Sequence, residues 1–101
     1  MLNQLNIKGA LVMFFLEYFV LLRLYRRSES LEVISLVVAP LMILIANYFA
    51  KTPAQLFAAF ALMELPLSVI GYKITPDATI LERVLVASSF GVTASLIGRA
   101  I

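Results

Sequence analysis

Four apolar segments, each close to the thickness of a lipid bilayer, constrain this chain most strongly. They cover about residues 7–25, 31–50, 53–72 and 80–101. A helix of ~20 mainly apolar residues rises ~30 Å, which matches the hydrocarbon core of a bilayer. The sequence therefore predicts an all-α fold: a single domain, 1–101, in which four transmembrane helices with short loops form a polytopic bundle.

The composition indicates that lipid is the solvent of this chain. Hydrophobic residues make up 62% of it and charged residues 14%, whereas a soluble domain usually carries about a quarter charged residues. A chain of 101 residues also has too small a core to hide this much apolar surface from water. We expect a multi-pass protein, most simply of the cell membrane, with the bilayer as its first partner.

The fourth segment fits a spanning helix less well than the other three. Its uninterrupted apolar stretch runs from Val84 to Gly98 and covers only ~22 Å as a helix. It spans the bilayer if Glu82, Arg83 and Arg99 sit among the headgroups, or if a partner covers them.

Helix-start residues mark two boundaries. Thr52 precedes Pro53, so a capping hydroxyl stands before a proline at the first helical position. Thr79 and Glu82 have the spacing of a capping box. Because the connections are short, sequential helices are expected to pack as antiparallel neighbours.

The positive-inside rule predicts the topology. With four spans, one side of the membrane holds five basic residues and the other side holds three, besides the terminal amine. This places both termini outside. The richer side holds Arg23, Arg26, Arg27, Lys73 and Arg83, and the poorer side holds Lys8, Lys51 and Arg99.

Two acids, Glu17 and Glu64, fall near the middle of predicted spans. An ionised acid at that depth costs at least ~2.5–3.5 kcal/mol, so each must be protonated, paired or beside water. Glu64 shares a helical stripe with Ser68 and Gly71, which predicts that it faces protein. Pro66 weakens the ladder at the carbonyl of Leu62, and a freed carbonyl beside Glu64 would suit an ion or a proton. The alternative is a structural hydrogen bond.

The surroundings of Glu17 predict a different role. Its stripe carries Met13, Phe14, Val20 and Leu21, so we expect it to face lipid or a bulky partner. A structural pairing with another subunit or helix is the simpler interpretation, and a place on an ion pathway is the alternative.

The remaining features concern packing. Small residues recur in the fourth segment at Ala87, Gly91, Ser95 and Gly98, a pattern that lets helix backbones approach closely, within the chain or between subunits. Two prolines, Pro40 and Pro66, predict helix kinks. Asn47 is expected to hydrogen-bond across helices.

Several kinds of chemistry are not expected. The chain has no His and no Cys, which removes the usual ligands of haem and zinc and the commonest general base. It has no phosphate-binding glycine loop and no nucleophile elbow. We expect no enzyme, no catalytic residues, no cofactor, no metal site and, without a concentrated basic face, no nucleic-acid partner.

One stretch resembles the small three-helix subunits of multisubunit cation/proton antiporters. The resemblance covers about residues 21–73 and is carried by Arg26-Arg27-Ser28, Asn47-Tyr48-Phe49 and Gly71-Tyr72-Lys73. It implies a membrane subunit. The chain lacks the Gly-Pro and the early Asp of that pattern and adds a fourth segment, so no functional residue is carried over.

Three functions are therefore open. The first is a small subunit of a larger membrane complex, respiratory or ion-translocating, with other membrane subunits as partners and possible proton translocation at Glu64. The second is a self-assembling oligomer that acts as an ion channel or transporter. The third is a structural membrane protein, holin-like or filament-forming, assembled through the small face of the fourth helix.

Overall fold

Helices account for all regular structure in the part of the chain that a computed structural model describes, residues 6–21, 23, 29–74 and 78–101. This confirms the all-α prediction. Arg26, Arg27 and Ser28, and the predicted end of the first helix near residue 25, lie outside the described residues. The helices are α1 (Ile7–Leu16, continued by a π-helical turn at Glu17–Leu21), α2 (Glu29–Phe49), α3 (Pro53–Ile74) and α4 (Ile80–Ala100).

Both predicted helix starts are present. The Thr79 hydroxyl oxygen accepts a hydrogen bond from the backbone N–H of Glu82 at 3.1 Å. The Thr52 hydroxyl oxygen accepts from the N–H of Gln55 at 3.3 Å, and the Gln55 amide oxygen accepts in return from the N–H of Thr52 at 3.4 Å. Side chains therefore satisfy backbone donors that a helix N-terminus leaves without partners.

The fourth helix is the centre of the bundle. It packs most extensively against α3 and α1, while α1 and α3 pack mainly against α4 rather than against each other. The predicted packing face is buried, and its partners are helices of this same chain. A Cβ at Gly98 would overlap the backbone of Gly9, and a Cβ at Gly91 would lie 2.9 Å from the ring of Phe60. The buried face comprises Ala87, Gly91, Ser95 and Gly98.

Two of the four predicted segments have the length and composition of a membrane span. Among the described residues, two helices are long and apolar enough to cross a membrane, Pro53–Lys73 and Ile80–Ala100. The fourth segment, marginal in the sequence, is one of these two. Arg83, one of the charged residues that limit its apolar stretch, is only 2% exposed and lies inside the protein instead of among headgroups. Glu82 and Arg99, near the two ends of the helix, are exposed.

Apolar side chains cover much of the outside of the molecule. Phe49, Leu62, Leu81 and Ile101 are among the large hydrophobic residues that are largely exposed. Several polar or charged residues are buried instead: Glu17, Asn47, Glu64, Ser68, Arg83, Ser88 and Ser95. The molecule measures 38 Å along its longest axis. Both α2 and α3 continue on either side of their prolines, Pro40 and Pro66, and the predicted kinks stay predictions.

Candidate functional site: ionisable groups inside the bundle

Both predicted site acids are buried inside this one chain. Glu64 is 9% exposed and Glu17 is 4% exposed. Each of them makes polar or electrostatic contacts within the protein. Lipid and a second subunit are therefore not needed to cover either carboxyl group.

Glu64 lies on the inner face of α3. Ser68 and Gly71, which follow it at four and seven residues, are buried as well, so the inward stripe is the one that the sequence indicates. The Leu62 carbonyl, which was expected beside the Glu64 carboxyl group, does not lie on this inner face, however. Leu62 is 74% exposed and Pro66 is also exposed, because a helix turns by ~200° between positions two apart. The carbonyl weakened by Pro66 therefore faces outward, away from the carboxyl group.

For Glu17 the structure excludes one of the two expected surroundings, because the residue faces the protein interior and not lipid. It is the first residue of the π-helical turn Glu17–Leu21, and its backbone N–H donates to the carbonyls of both Met13 and Phe14. Insertions of this kind are frequent at functional sites. The residues of the apolar stripe predicted for an ideal helix do not share one environment. Met13 on that stripe is buried, while Phe14 is partly exposed, because tertiary packing decides which of them faces inward. Nothing in the local residue types signals the π-helical turn.

The position of Glu17 along the bundle follows from the contact between α1 and α4. These helices run antiparallel, with Gly98 against the backbone of Gly9. Eight residues further along α1 is Glu17, and eight residues back along α4 is Phe90. Both steps correspond to a rise of about 12 Å, which puts Glu17 opposite Phe90. The bond from Asn6 Nδ2 to the Ser95 carbonyl, counted eleven residues along each helix, puts it opposite Val84. Glu17 therefore lies between these two levels, within about one turn of Ala87.

The contact between α3 and α4 places Glu64 at almost the same level. The ring of Phe60 packs on Gly91. Four residues further along α3 is Glu64, and four residues back along the antiparallel α4 is Ala87. The two acids therefore lie within about one turn of each other along α4, on two different helices.

Arg83 is the third buried ionisable residue, one to two turns from this level. Its Nε donates to the carbonyl of Ala78 at 3.4 Å, and its Nη1 lies 3.0 Å from the position of a Cβ on Gly71. The arginine also makes a further contact within the chain. The sequence analysis left two positions open for this residue, among the headgroups or covered by a partner. The choice depends on packing against α3, which the neighbours of Arg83 in sequence do not indicate.

One buried hydroxyl group lies close to the level of the two acids. Ser88 is 0% exposed, and its Oγ has no hydrogen-bond partner among the described residues. The other described hydroxyl groups further along α4 behave differently. Those of Ser89, Thr93 and Ser95 each donate to the carbonyl four residues earlier, at 2.7–2.8 Å.

A separate polar cluster joins three helices at the end of the bundle that contains both Asn6 and Ile101. Its centre is Asn47, whose Nδ2 donates to the carbonyl of Ile43 and to Ser95 Oγ, both at 2.8 Å. Its Oδ1 accepts from Asn6 Nδ2 at 3.2 Å and from Arg99 Nε at 3.0 Å. The predicted cross-helix role of Asn47 is therefore confirmed, and every polar atom of its amide group is bonded.

The described residues contain no group of three or more His, Cys, Asp or Glu side chains placed to hold a metal ion. A comparison of the chain with protein-family models, with curated proteins and with solved structures finds no match in any of the three.

Proposed function

We propose that this chain is an integral membrane protein whose four helices carry protons through their own interior, with Glu17 and Glu64 as the groups that bind the proton. One observation carries the proposal: two carboxyl groups from different helices are buried within about one turn of each other along the bundle. Intramembrane acids are rare, and they mark proton and ion pathways more often than other residues do.

The surface of the molecule supports a position in the bilayer. Many large apolar side chains point outward while three ionisable side chains, Glu17, Glu64 and Arg83, are buried, which is the reverse of what water favours. The 38 Å length of the bundle spans a hydrocarbon core of about 30 Å and reaches into the headgroups. In this proposal α1 and α2 cross the bilayer together with α3 and α4.

The choice of the proton follows from the energetics of a buried carboxyl group. An ionised acid at mid-depth costs about 2.5–3.5 kcal/mol or more unless it is compensated. Binding a proton removes that charge, and releasing the proton restores it. A carboxyl group that alternates between these forms, with access to each side in turn, moves protons without any further ligand.

The two ends of the described chain lie together, which suits an even number of crossings. Lys8 Nζ donates to the carbonyl of Ile101 at 2.7 Å, and Arg99 at the same end donates to the carbonyl of Lys51 at 2.8 Å. This is the end with fewer basic residues in the sequence. By the positive-inside rule we assign it to the outer face of the membrane.

A second candidate is the subunit of a larger membrane complex. The outer face of α1 favours it, since Phe15 and Phe19 stack at 6.2 Å with an interplanar angle of 14° and both are exposed. Another membrane subunit would cover such a face. Purification from native membranes discriminates between the two candidate functions. Subunits that stably co-purify favour a larger complex, whereas a preparation of this chain alone that conducts protons excludes it.

The decisive experiment measures proton flux into liposomes that contain the purified protein and a trapped pH-sensitive dye. We expect wild-type protein to conduct above empty vesicles and both Glu64→Gln and Glu17→Gln to reduce the flux to background, because an amide cannot ionise. Glu82→Gln is the matched control, since Glu82 is exposed and lies at the start of α4. Wild-type vesicles that do not differ from empty ones, or glutamine variants with undiminished flux, contradict the proposal.

A further inference from the structure

The buried hydroxyl group of Ser88 indicates a ligand, because polar atoms without partners are rare inside proteins. A serine in a helix ordinarily returns its hydrogen bond to the carbonyl four residues earlier, as Ser89 and Ser95 do in this same helix. Ser88 does not. Its small size would suit the packing face, but a small apolar residue would serve there without the cost of an unpaired hydroxyl group, about 1–3 kcal/mol.

A carbonyl group on α2 lies at the level of this hydroxyl group. The bond from Asn47 Nδ2 to Ser95 Oγ fixes the register of α2 and α4, which run parallel. Seven residues back from Asn47 is Pro40, and seven back from Ser95 is Ser88. Pro40 has no N–H, so the helix supplies no donor from that position to the carbonyl of Leu36.

Along the axis of the bundle, Glu17 lies close to the level of the Leu36 carbonyl. The bond from Asn6 Nδ2 to Asn47 Oδ1 fixes the register of the antiparallel α1 and α2. Eleven residues on from Asn6 is Glu17, and eleven back from Asn47 is Leu36. The π-helical turn that begins at Glu17 also packs directly against α2.

We propose that the Ser88 hydroxyl group and the Leu36 carbonyl hold an internal water molecule beside Glu17. A buried water needs two to four polar partners, and these groups supply a hydroxyl group, a carbonyl oxygen and a carboxyl group from α4, α2 and α1. Such a site satisfies the Ser88 hydroxyl and the acceptor that Pro40 leaves on α2.

The water gives Glu17 a partner for proton exchange beside α4, and this role rests on the function proposed above. The helices that carry Glu17 and Glu64 pack against α4 rather than against each other. A hydronium ion at the site passes a proton to the Glu17 carboxylate, which leaves a water molecule and a carboxylic acid. The reverse step regenerates both partners, so no other reactant takes part.

Infrared difference spectroscopy of the full-length protein in lipid nanodiscs tests the site, with exchange between ordinary and ¹⁸O-labelled water. We expect the wild type to show an O–H stretching band of internal water that shifts on exchange. Ser88→Ala removes one partner and should abolish the band. Pro40→Ala restores an N–H that occupies the Leu36 carbonyl and should weaken or shift it. Ser89→Ala, which removes an exposed hydroxyl group bonded to its own helix, should leave it unchanged.

The spectra test the water site and the flux measurement tests the proposed function, so either proposal can be overturned without the other. A wild-type protein without this band, or a Ser88→Ala variant that keeps it, overturns the water site whatever the flux. A wild-type protein that shows the band but conducts no protons overturns the proposed function and leaves the site intact. Where wild-type protein conducts, Ser88→Ala should slow the flux several-fold while Ser89→Ala does not, and equal flux in the two variants overturns the role of the water in proton transfer.

Discussion

The polar groups at the end of the bundle differ from those at its middle in how they are satisfied. At the end, the amide of Asn47 bonds at every polar atom, to another amide, a hydroxyl, a guanidinium group and a backbone carbonyl. At the middle, two ionisable acids and a hydroxyl group without a protein partner lie within about one turn of each other along α4. A hydrogen-bond network in which every polar atom has a partner holds helices in register, whereas groups that change charge or bind a ligand are suited to function.

This contrast leads to opposite expectations for substitutions in the two regions. Changes at the end cluster should reduce stability and, in protein that still folds, leave conduction intact. Glutamine at the buried acids should abolish conduction with the fold retained.

The largest effect is expected for Gly98→Ala. The new Cβ would overlap the backbone of Gly9, and a backbone cannot move aside as a side chain can, so α1 and α4 must separate. Overpacking of this kind costs about 1–3 kcal/mol or more. Thermal unfolding in detergent, followed by circular dichroism, should show a clear fall in the midpoint. Gly71→Ala is the control: its Cβ would meet a side chain, the guanidinium end of Arg83 at 3.0 Å, and no backbone. An equal loss in both variants would refute the close approach.

A somewhat smaller loss is expected for Asn47→Leu. The substitution removes four hydrogen bonds and leaves Asn6 Nδ2 and Arg99 Nε each without one partner. The penalty for stranded polar groups is about 1–3 kcal/mol, and hydrogen bonds inside membrane bundles average only about 0.6 kcal/mol each. Reversible unfolding in mixed micelles measures it. Unchanged stability would show that the cluster does not hold the helices together, and lost conduction in folded protein would break the division between the two regions.

The smallest of the three effects is expected for Gly91→Ala. Its Cβ would come within 2.9 Å of the Phe60 ring, which can tilt but is itself buried, so we expect a cost of about 1 kcal/mol. A double-mutant cycle with Phe60→Leu checks the cause, since the smaller partner should relieve most of the loss. A cycle without coupling between the two positions would place the strain elsewhere.

The sequence predicted the helices better than their orientations. Helix starts depend on local chemistry, and the capping positions at Thr52 and Thr79 were visible directly in the residues. The direction that a side chain faces depends on packing, and a helix that is apolar all round carries no stripe to indicate it. For this reason the sequence left two alternatives open for Glu17 and for Arg83, whereas Glu64 was placed inward because small and polar residues share its stripe.

The central position of α4 has a consequence for biosynthesis. The helix that contacts both α1 and α3 most extensively is the last of the four to leave the ribosome. Until residues 80–100 emerge, α1 can pack only against α2, α3 lacks its main partner, and their buried acids have no shared helix to cover them. A chain arrested before Ile80 should therefore be cut by added protease faster than one arrested after Ala100.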